Sequence, residues 1–420
     1  MSEIHPSIAS HRLSVISSSR PICQKVRRFH SNRQRIIKAK VEKLPTIGFI
    51  REVEYPEWLE NVVVVPKKGD KWRVCIDYTN LNDVCPNDSW LLPQIDQIID
   101  STARHDMLSF IDAFSSYHQI LMFQLDEEKT SFVTPHGIYC YKVMPFWLKK
   151  ARATYQRLMT KIFRPLIGQS MEMYIDNIVI KSKTRSEHTR HLKETFRLMK
   201  TYNMKLNPAK CTFGVNVGKF LGFMVTQRGI EVNLDQIKAV TEIFSPSSKK
   251  ELQHLTGRLV VLERFIAWFT EKLRPFFLTL KGASPIGWTS DYELAFEEIK
   301  CYLTQPPILS SPQPGEQLYM YLAVSNCAVS AVLFHYVNDK EQRSVYYISK
   351  MMVDAKTRYS KMEQKTLALK SVVRKLRPYF QAYQVIVLTN QPLWNILHKP
   401  DLSGRLVRSA IELSEYGIKY

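Results

Sequence analysis

Along the first half of the chain, apolar and polar residues alternate with period two in short runs bounded by turn-forming residues. Strands are predicted at 62–65, 72–77, 107–112, 139–143 and 218–225. Between them the period lengthens, predicting helices over 92–101, 151–163 and 186–202. Two of the apolar runs each enclose one aspartate. In LSFIDAFSSYHQI, Phe110 and Ile111 lead into Asp112 at a strand end. In MEMYIDNIVIK, Met171, Met173 and Ile175 alternate toward Asp176-Asn177, and Ile178, Val179 and Ile180 leave it, the pattern of a hairpin with a carboxylate at its tip. Taken singly, these are a strand-end aspartate and a turn aspartate. Facing each other, they are oxygen ligands of the kind that hold Mg²⁺ for phosphoryl transfer.

From 235 to 281 the spacing becomes helical, with Leu252, Leu255, Leu259, Leu262, Phe265, Ile266, Phe269 and Leu273 recurring at three and four. Pro246 and Pro275 bracket this unit, and its stripe predicts a helix-bundle core. After a proline-rich connection, strands return at 318–324, 328–335 and 344–348, followed by a helix at 361–375 and a strand at 384–388. The whole is α+β, ending in a βββαβ unit. The pattern reaches Tyr420 without a terminating signal, which predicts a final domain cut short.

Composition narrows the class. With 420 residues and 45% apolar content, the chain can bury several cores. A net charge of +20 and a pI near 9.5 favour a polyanionic partner, nucleic acid first. No run is long enough to span a membrane, so no membrane partner is expected. Seven widely spaced cysteines without a C-x-x-C pair suggest neither a disulfide framework nor a zinc site. The N-terminus lacks an apolar signal region, predicting an intracellular, non-secreted protein. Residues 1–50 hold ten Lys/Arg against two Glu, with Lys25, Arg27, Arg28, Arg33, Arg35, Lys38 and Lys40 crowded together. Such a basic arm either solvates a terminus or contacts phosphates.

In order, PEWLENVVVVPKK, KWRVCIDYTNLND, LPQIDQIID, DAFSSYHQI, EEKTSFVTPHGIYCYKVMPF, ATYQRLM, MYIDN, GKFLGFMVTQRGIEV and WTSDYELAFEEIK resemble the Pol region of plant gypsy-type LTR retrotransposons. The resemblance implies a right-hand polymerase with fingers, palm and helical thumb, then a ribonuclease H-like α/β domain. Its divisions would be a basic arm at 1–50, fingers and palm at 51–234, thumb at 235–282, connection at 283–316 and ribonuclease H-like domain at 317–420. It implies an RNA-directed DNA polymerase using Mg²⁺, or Mn²⁺ in its place, with dNTPs and an RNA or DNA template carrying a primer. The cytoplasm, in a virus-like particle, or the nucleus would be its compartment. Oligomeric state is not implied. By resemblance Asp112 and Asp176 are the metal-binding aspartates, with Asn177 beside them at a catalytic position. Lys67 or Lys68, Arg73, Tyr117 and Phe146 would surround the incoming nucleotide, Tyr117 beneath its sugar. Leu221, Gly222 and Phe223 resemble the primer grip, a hairpin that presses the primer's 3′ end toward the metals, with an ordinary glycine-containing strand as the alternative. Lys249, Lys250, Arg258, Arg264 and Lys272 could face a duplex from the helical unit.

The chain also departs from that pattern. Asn177 stands where a second aspartate is usual, removing one negative charge while suiting a left-handed turn. Trp147 and Arg152 replace glycines, and a Trp side chain at 147 should fill the nucleotide space or displace its loop. Ser116 replaces another glycine. In the last domain the expected carboxylate positions are Ala323, Lys365 and Asn390, and Glu363 points elsewhere on its helix. No hydrolysis of RNA in a hybrid is therefore expected. These losses support an alternative, a degenerate relic that keeps the fold and binds nucleic acid without copying it.

Overall fold

The computed structural model describes residues 4–419 except 68, 70–71, 247, 281–289, 326, 338–340, 353–359 and 390–403. By contacts the chain divides into two compact units, one formed by 1–98 and 106–215, the other by 99–105 and 216–420.

Two sheets organise the first unit. Five strands pair in the spatial order Ile50–Glu52, Gly137–Tyr141, Phe132–Thr134, Glu60–Pro66 and Trp72–Ile76. The second sheet has four strands, ordered Thr212–Val215, Met107–Asp112, Asn177–Ser182 and Met171–Tyr174. The aspartate strand Met107–Asp112 thus lies inside its sheet, with Leu108 and Ile111 turned into the core. Two helices are observed at Ala151–Phe163 and Arg185–Thr201, close to the predicted bounds. The first buries Tyr155, Leu158, Met159, Ile162 and Phe163, one face at helical spacing. The second starts with a capping box in which Thr184 and Glu187 satisfy each other's backbone donors. The basic N-terminal stretch packs onto this unit. Ile4, Ile37 and Val41 are buried, Ser10–His11 pairs with Leu121–Met122, and Ser31–Val41 is a helix.

In the second unit, the predicted strand over 218–225 is instead two. Val217–Phe220 turns back into Phe223–Thr226, with Phe220 opposite Phe223. The two-residue turn needs positive φ at both positions, and Leu221 (49°) and Gly222 (94°) supply it. The reversal shifts the phase of the alternation, since Phe220 shares a face with Phe223, but Phe220-Leu221-Gly222-Phe223-Met224-Val225 is an apolar run broken only by a glycine, so no polar turn residue marks it. The helical stripe is packed as expected: Leu252, Leu255, Leu259, Leu262, Phe265, Ile266, Phe269 and Leu273 are all buried among short helices that include Leu234–Thr241 and Lys249–Val260. Strands Leu318–Val324, Ala328–Val337 and Glu341–Met351 form an antiparallel meander, and Val385–Leu388 joins Leu318–Val324 in parallel. Helix Lys361–Lys375 makes the crossover and buries Ala368, Leu369, Val372 and Val373 against the sheet.

Candidate active site

The two aspartates meet in the four-stranded sheet. Asp112 ends its strand directly opposite Asn177, and Tyr174 pairs with Asn177 across a two-residue turn made by Ile175 and Asp176. The left-handed residue of that turn is Ile175, with φ of 57°, while Asn177 already belongs to the strand. The expectation that Asn suits a left-handed position here is therefore corrected. A β-branched residue in this region is strained. It is held by Gln156, a buried side chain of Ala151–Phe163 whose Oε1 accepts the Ile175 N–H at 2.6 Å.

Charge at the site is incompletely compensated. Burial pushes the Asp176 carboxyl above its ordinary range and the negative charge of Asp112 adds to the effect, against the opposing pull of Lys210 and the Ser116 hydroxyl. Asn177 Nδ2 lies 3.4 Å from Asp176 Oδ1. The Lys210 ammonium lies 3.3 Å from Asp112 Oδ2. Neither Lys210 nor Gln156 was expected from the pattern. Gln156 lies inside ATYQRLM, where its amide among apolar neighbours was a usable signal. Lys210 is 98 residues from Asp112 in sequence and gave none.

A pocket of about 420 Å³ opens beside the five-stranded sheet, lined by Lys40, Lys67, Trp72, Arg73, His118, Phe146 and Trp147 among others. The structure thus groups Lys67, Arg73 and Phe146; Lys68 lies outside the described residues. Lys40, from the basic N-terminal helix, is an addition. Tyr117 stacks edge-on against Phe146 at 5.0 Å and against Tyr155 at 5.6 Å. Burial, reinforced by Asp176, pushes its phenol up to about 12, so it stays a neutral hydroxyl. Burial pushes His118 down to about 4, so it too is neutral. Trp147 has φ of 78° and is 58% exposed while lining the pocket. Asn82 clamps this loop: its Nδ2 donates to the Trp147 carbonyl at 2.8 Å and its Oδ1 accepts the Lys149 N–H at 2.7 Å.

In the second unit, Leu221, Gly222 and Phe223 sit at the hairpin turn described above. Ala323 lies on its strand opposite Ser330, and Lys365 is on helix Lys361–Lys375. Asn390 lies outside the described residues. Glu363 is committed to the helix cap, its Oε2 accepting from the Ser360 N–H at 3.1 Å and hydroxyl at 3.0 Å. Among the described residues, no group of three or more His, Cys, Asp or Glu could hold a metal ion. No described helix is long and apolar enough to cross a membrane.

Residues 65–225 match the family model described as reverse transcriptase (RNA-dependent DNA polymerase), and residues 288–387 match the RNase H-like domain found in reverse transcriptase. The retrovirus-related Pol polyprotein from transposon 297 of Drosophila melanogaster is 31% identical over 390 residues, which are 91% of this chain and 36% of that protein. The transposon Tf2-7 polyprotein of Schizosaccharomyces pombe is 29% identical over 349 residues, 83% of this chain and 26% of that one. The chain therefore spans about a third of the length of these relatives. The fold is shared with the foamy viral protease-reverse transcriptase solved in complex with RNA/DNA hybrid, at TM-score 0.86 and 19% identity over 98% of this chain and 56% of the other. The complex of that viral protein with dsDNA gives a TM-score of 0.83 at 20% identity, covering 98% of this chain and 87% of the other.

Proposed function

We propose that this chain, which carries the reverse transcriptase and RNase H-like domains of a retrotransposon Pol polyprotein, is the RNA-directed DNA polymerase of a gypsy-type plant LTR element. The observation that supports this most is the cross-strand meeting of Asp112 with the Asp176 turn. Two half-buried carboxylates that repel each other favour a hard divalent cation, so the donor set fits Mg²⁺ or Mn²⁺. When bound, such cations lower the charge cost of nucleotidyl transfer from a dNTP to a primer 3′-hydroxyl with loss of pyrophosphate. Asp112 and Asp176 would hold them. Arg73, Lys67 and Lys40 would take the triphosphate oxygens, since fixed cationic donors are what that group needs. Tyr117 and Phe146 would bear on the sugar, and Leu221, Gly222 and Phe223 on the primer end. In this reading 1–50 is a basic arm, 51–234 fingers and palm, 235–282 thumb, 283–316 connection and 317–420 the ribonuclease H-like domain. Template, primer and dNTPs are its partners, inside the cell.

The last domain has an alanine and a lysine at two of its expected carboxylate positions, and so is inferred not to cleave RNA. A second reading, binding without synthesis, is favoured by the amide of Asn177 opposite Asp112 and by Trp147 in the pocket. Primer extension on poly(rA) with an oligo(dT) primer and Mg²⁺ separates the two. Synthesis by the parent chain is the expected result, rising in the Asn177→Asp, Trp147→Gly, Arg152→Gly triple variant. A silent parent and an active triple variant would establish the second reading, and silence of both would overturn the polymerase assignment.

A further inference from the structure

The carboxylate pair already has a counter-ion. Lys210 closes the short turn Pro208–Lys210, and its ammonium lies 3.3 and 3.4 Å from the two Asp112 oxygens. Backbone bonds fix that placement. The Asn207 N–H donates to the Asp112 carbonyl at 3.0 Å, and the Asp112 N–H points at the Cys211 sulfur at 3.5 Å. Asp112, Asp176 and Lys210 together carry one net negative charge, and Asn177 adds none. The lysine and aspartate side chains are 64% and 25% exposed, so the ion pair is weak enough to exchange. An ammonium and a divalent cation on the same carboxylate edge repel each other, which makes their occupancy competitive.

We propose that Lys210 is the exchangeable counter-ion of the Asp112 and Asp176 pair, and that a divalent cation binds by displacing it. The proposal rests on the reading of those aspartates given above. Cation affinity is then set by a lysine as well as by the carboxylates. The loss of a third carboxylate at Asn177 makes that competition harder for the metal.

The test is Mn²⁺ binding to the full chain, without nucleotide or nucleic acid, followed by electron paramagnetic resonance of free Mn²⁺. Lys210→Met should tighten binding by about three- to tenfold at low salt, with the gain shrinking near 0.5 M salt where exposed charges are screened to about 4 Å. Lys210→Arg, which keeps the charge, should stay within about twofold of the parent, and Asp112→Asn should weaken binding. Circular dichroism checks the fold of each variant, with Lys210→Gln replacing a misfolded Met variant. A neutral substitution that leaves Mn²⁺ affinity unchanged or lower overturns the proposal while the aspartate site stands. Parent-like binding by Asp112→Asn overturns both.

Discussion

The four-stranded sheet of the first unit and the four-stranded sheet of the ribonuclease H-like domain pose the same problem and have kept different parts of the answer. In the first, Asp112 and Asp176 meet at a strand end, where burial and mutual repulsion push the Asp176 carboxyl up and a lysine partly relieves them. In the second, the meander and crossover helix pack as closely, yet Ala323 and Lys365 stand at expected ligand positions and Glu363 serves only as a helix cap. The difference teaches that scaffold and chemistry are held by separate forces. Apolar burial maintains a sheet whether or not its strand ends are charged, whereas clustered carboxylates cost folding energy and repay it only by binding a cation.

Each unit also buries an ion pair, and breaking these gives the largest expected effects. Lys181 Nζ lies 2.8 Å from Glu172 Oε1 in the first unit, both nearly out of solvent. In the second, Arg264 lies 2.6 Å from Asp100 and 4.7 Å over the Tyr346 ring, with Tyr379 also bonded to Asp100. Lys181→Met and Arg264→Met should each cost about 3–5 kcal/mol, because a buried carboxylate is left behind. Urea unfolding measures the loss, and hydrogen exchange shows whether it is centred in the unit that holds the pair. A loss below about 1 kcal/mol in either would mean that its pair is wetter than it looks.

Next comes the contrast in chemistry. Asp112→Asn should lower primer extension by on the order of 10²–10³-fold, the scale of losing one preorganised electrostatic group. Ala323→Asn should leave both extension and the expected absence of RNA cleavage unchanged. RNA cleavage by the parent in a gel assay with labelled hybrid would erase the contrast.

A pH effect of intermediate size belongs to the first unit. Glu60 is fully buried beside Gln24, and burial, reinforced by Asp77, pushes its carboxyl from 4.5 up to about 7. Between those values the folded chain holds a proton that the unfolded chain has released, so stability falls as pH rises through the window. Glu60→Gln should remove about 1–3 kcal/mol of that fall between pH 4.5 and 7. The variant must be compared with the parent at each pH. His11 and His118, which burial pushes down to about 4, act in the opposite sense.

The smallest effect probes the pocket. Trp147 holds a left-handed backbone at φ of 78° while remaining 58% exposed, so Trp147→Gly relieves strain and forfeits little packing. The melting temperature should rise by the equivalent of about 1 kcal/mol. A fall would show that the indole packs more than its exposure suggests.

Much of this molecule was legible in its sequence, and the failures have physical causes. The strand ending at Asp112, the helices at 151–163 and 361–375, and the helical stripe from Leu252 to Leu273 all appear near their expected positions. Each follows from local periodicity, which acts between residues a few positions apart. The reversal at Leu221-Gly222 escaped the period-two pattern, which showed one strand, because an apolar run from Phe220 to Val225 carries no polar turn residue; only the primer-grip resemblance implied a hairpin there. The left-handed residue at the Asp176 turn was assigned to Asn177, since Asn tolerates that region best, whereas register put Ile175 there and Gln156 held it.

The sequence by itself determined that the chain is α+β, that two aspartates sit in apolar strand contexts, and that Ala323, Lys365 and Asn390 are not carboxylates. Those are matters of residue type and short-range pattern. Only the tertiary structure decided that Asp112 faces Asn177, that Lys210 from 98 residues away pairs with Asp112, and that Lys40 joins Arg73 in one pocket. Their energies depend on distances between segments brought together by folding, and Coulomb and hydrogen-bond terms change within an ångström or two where sequence separation carries no information.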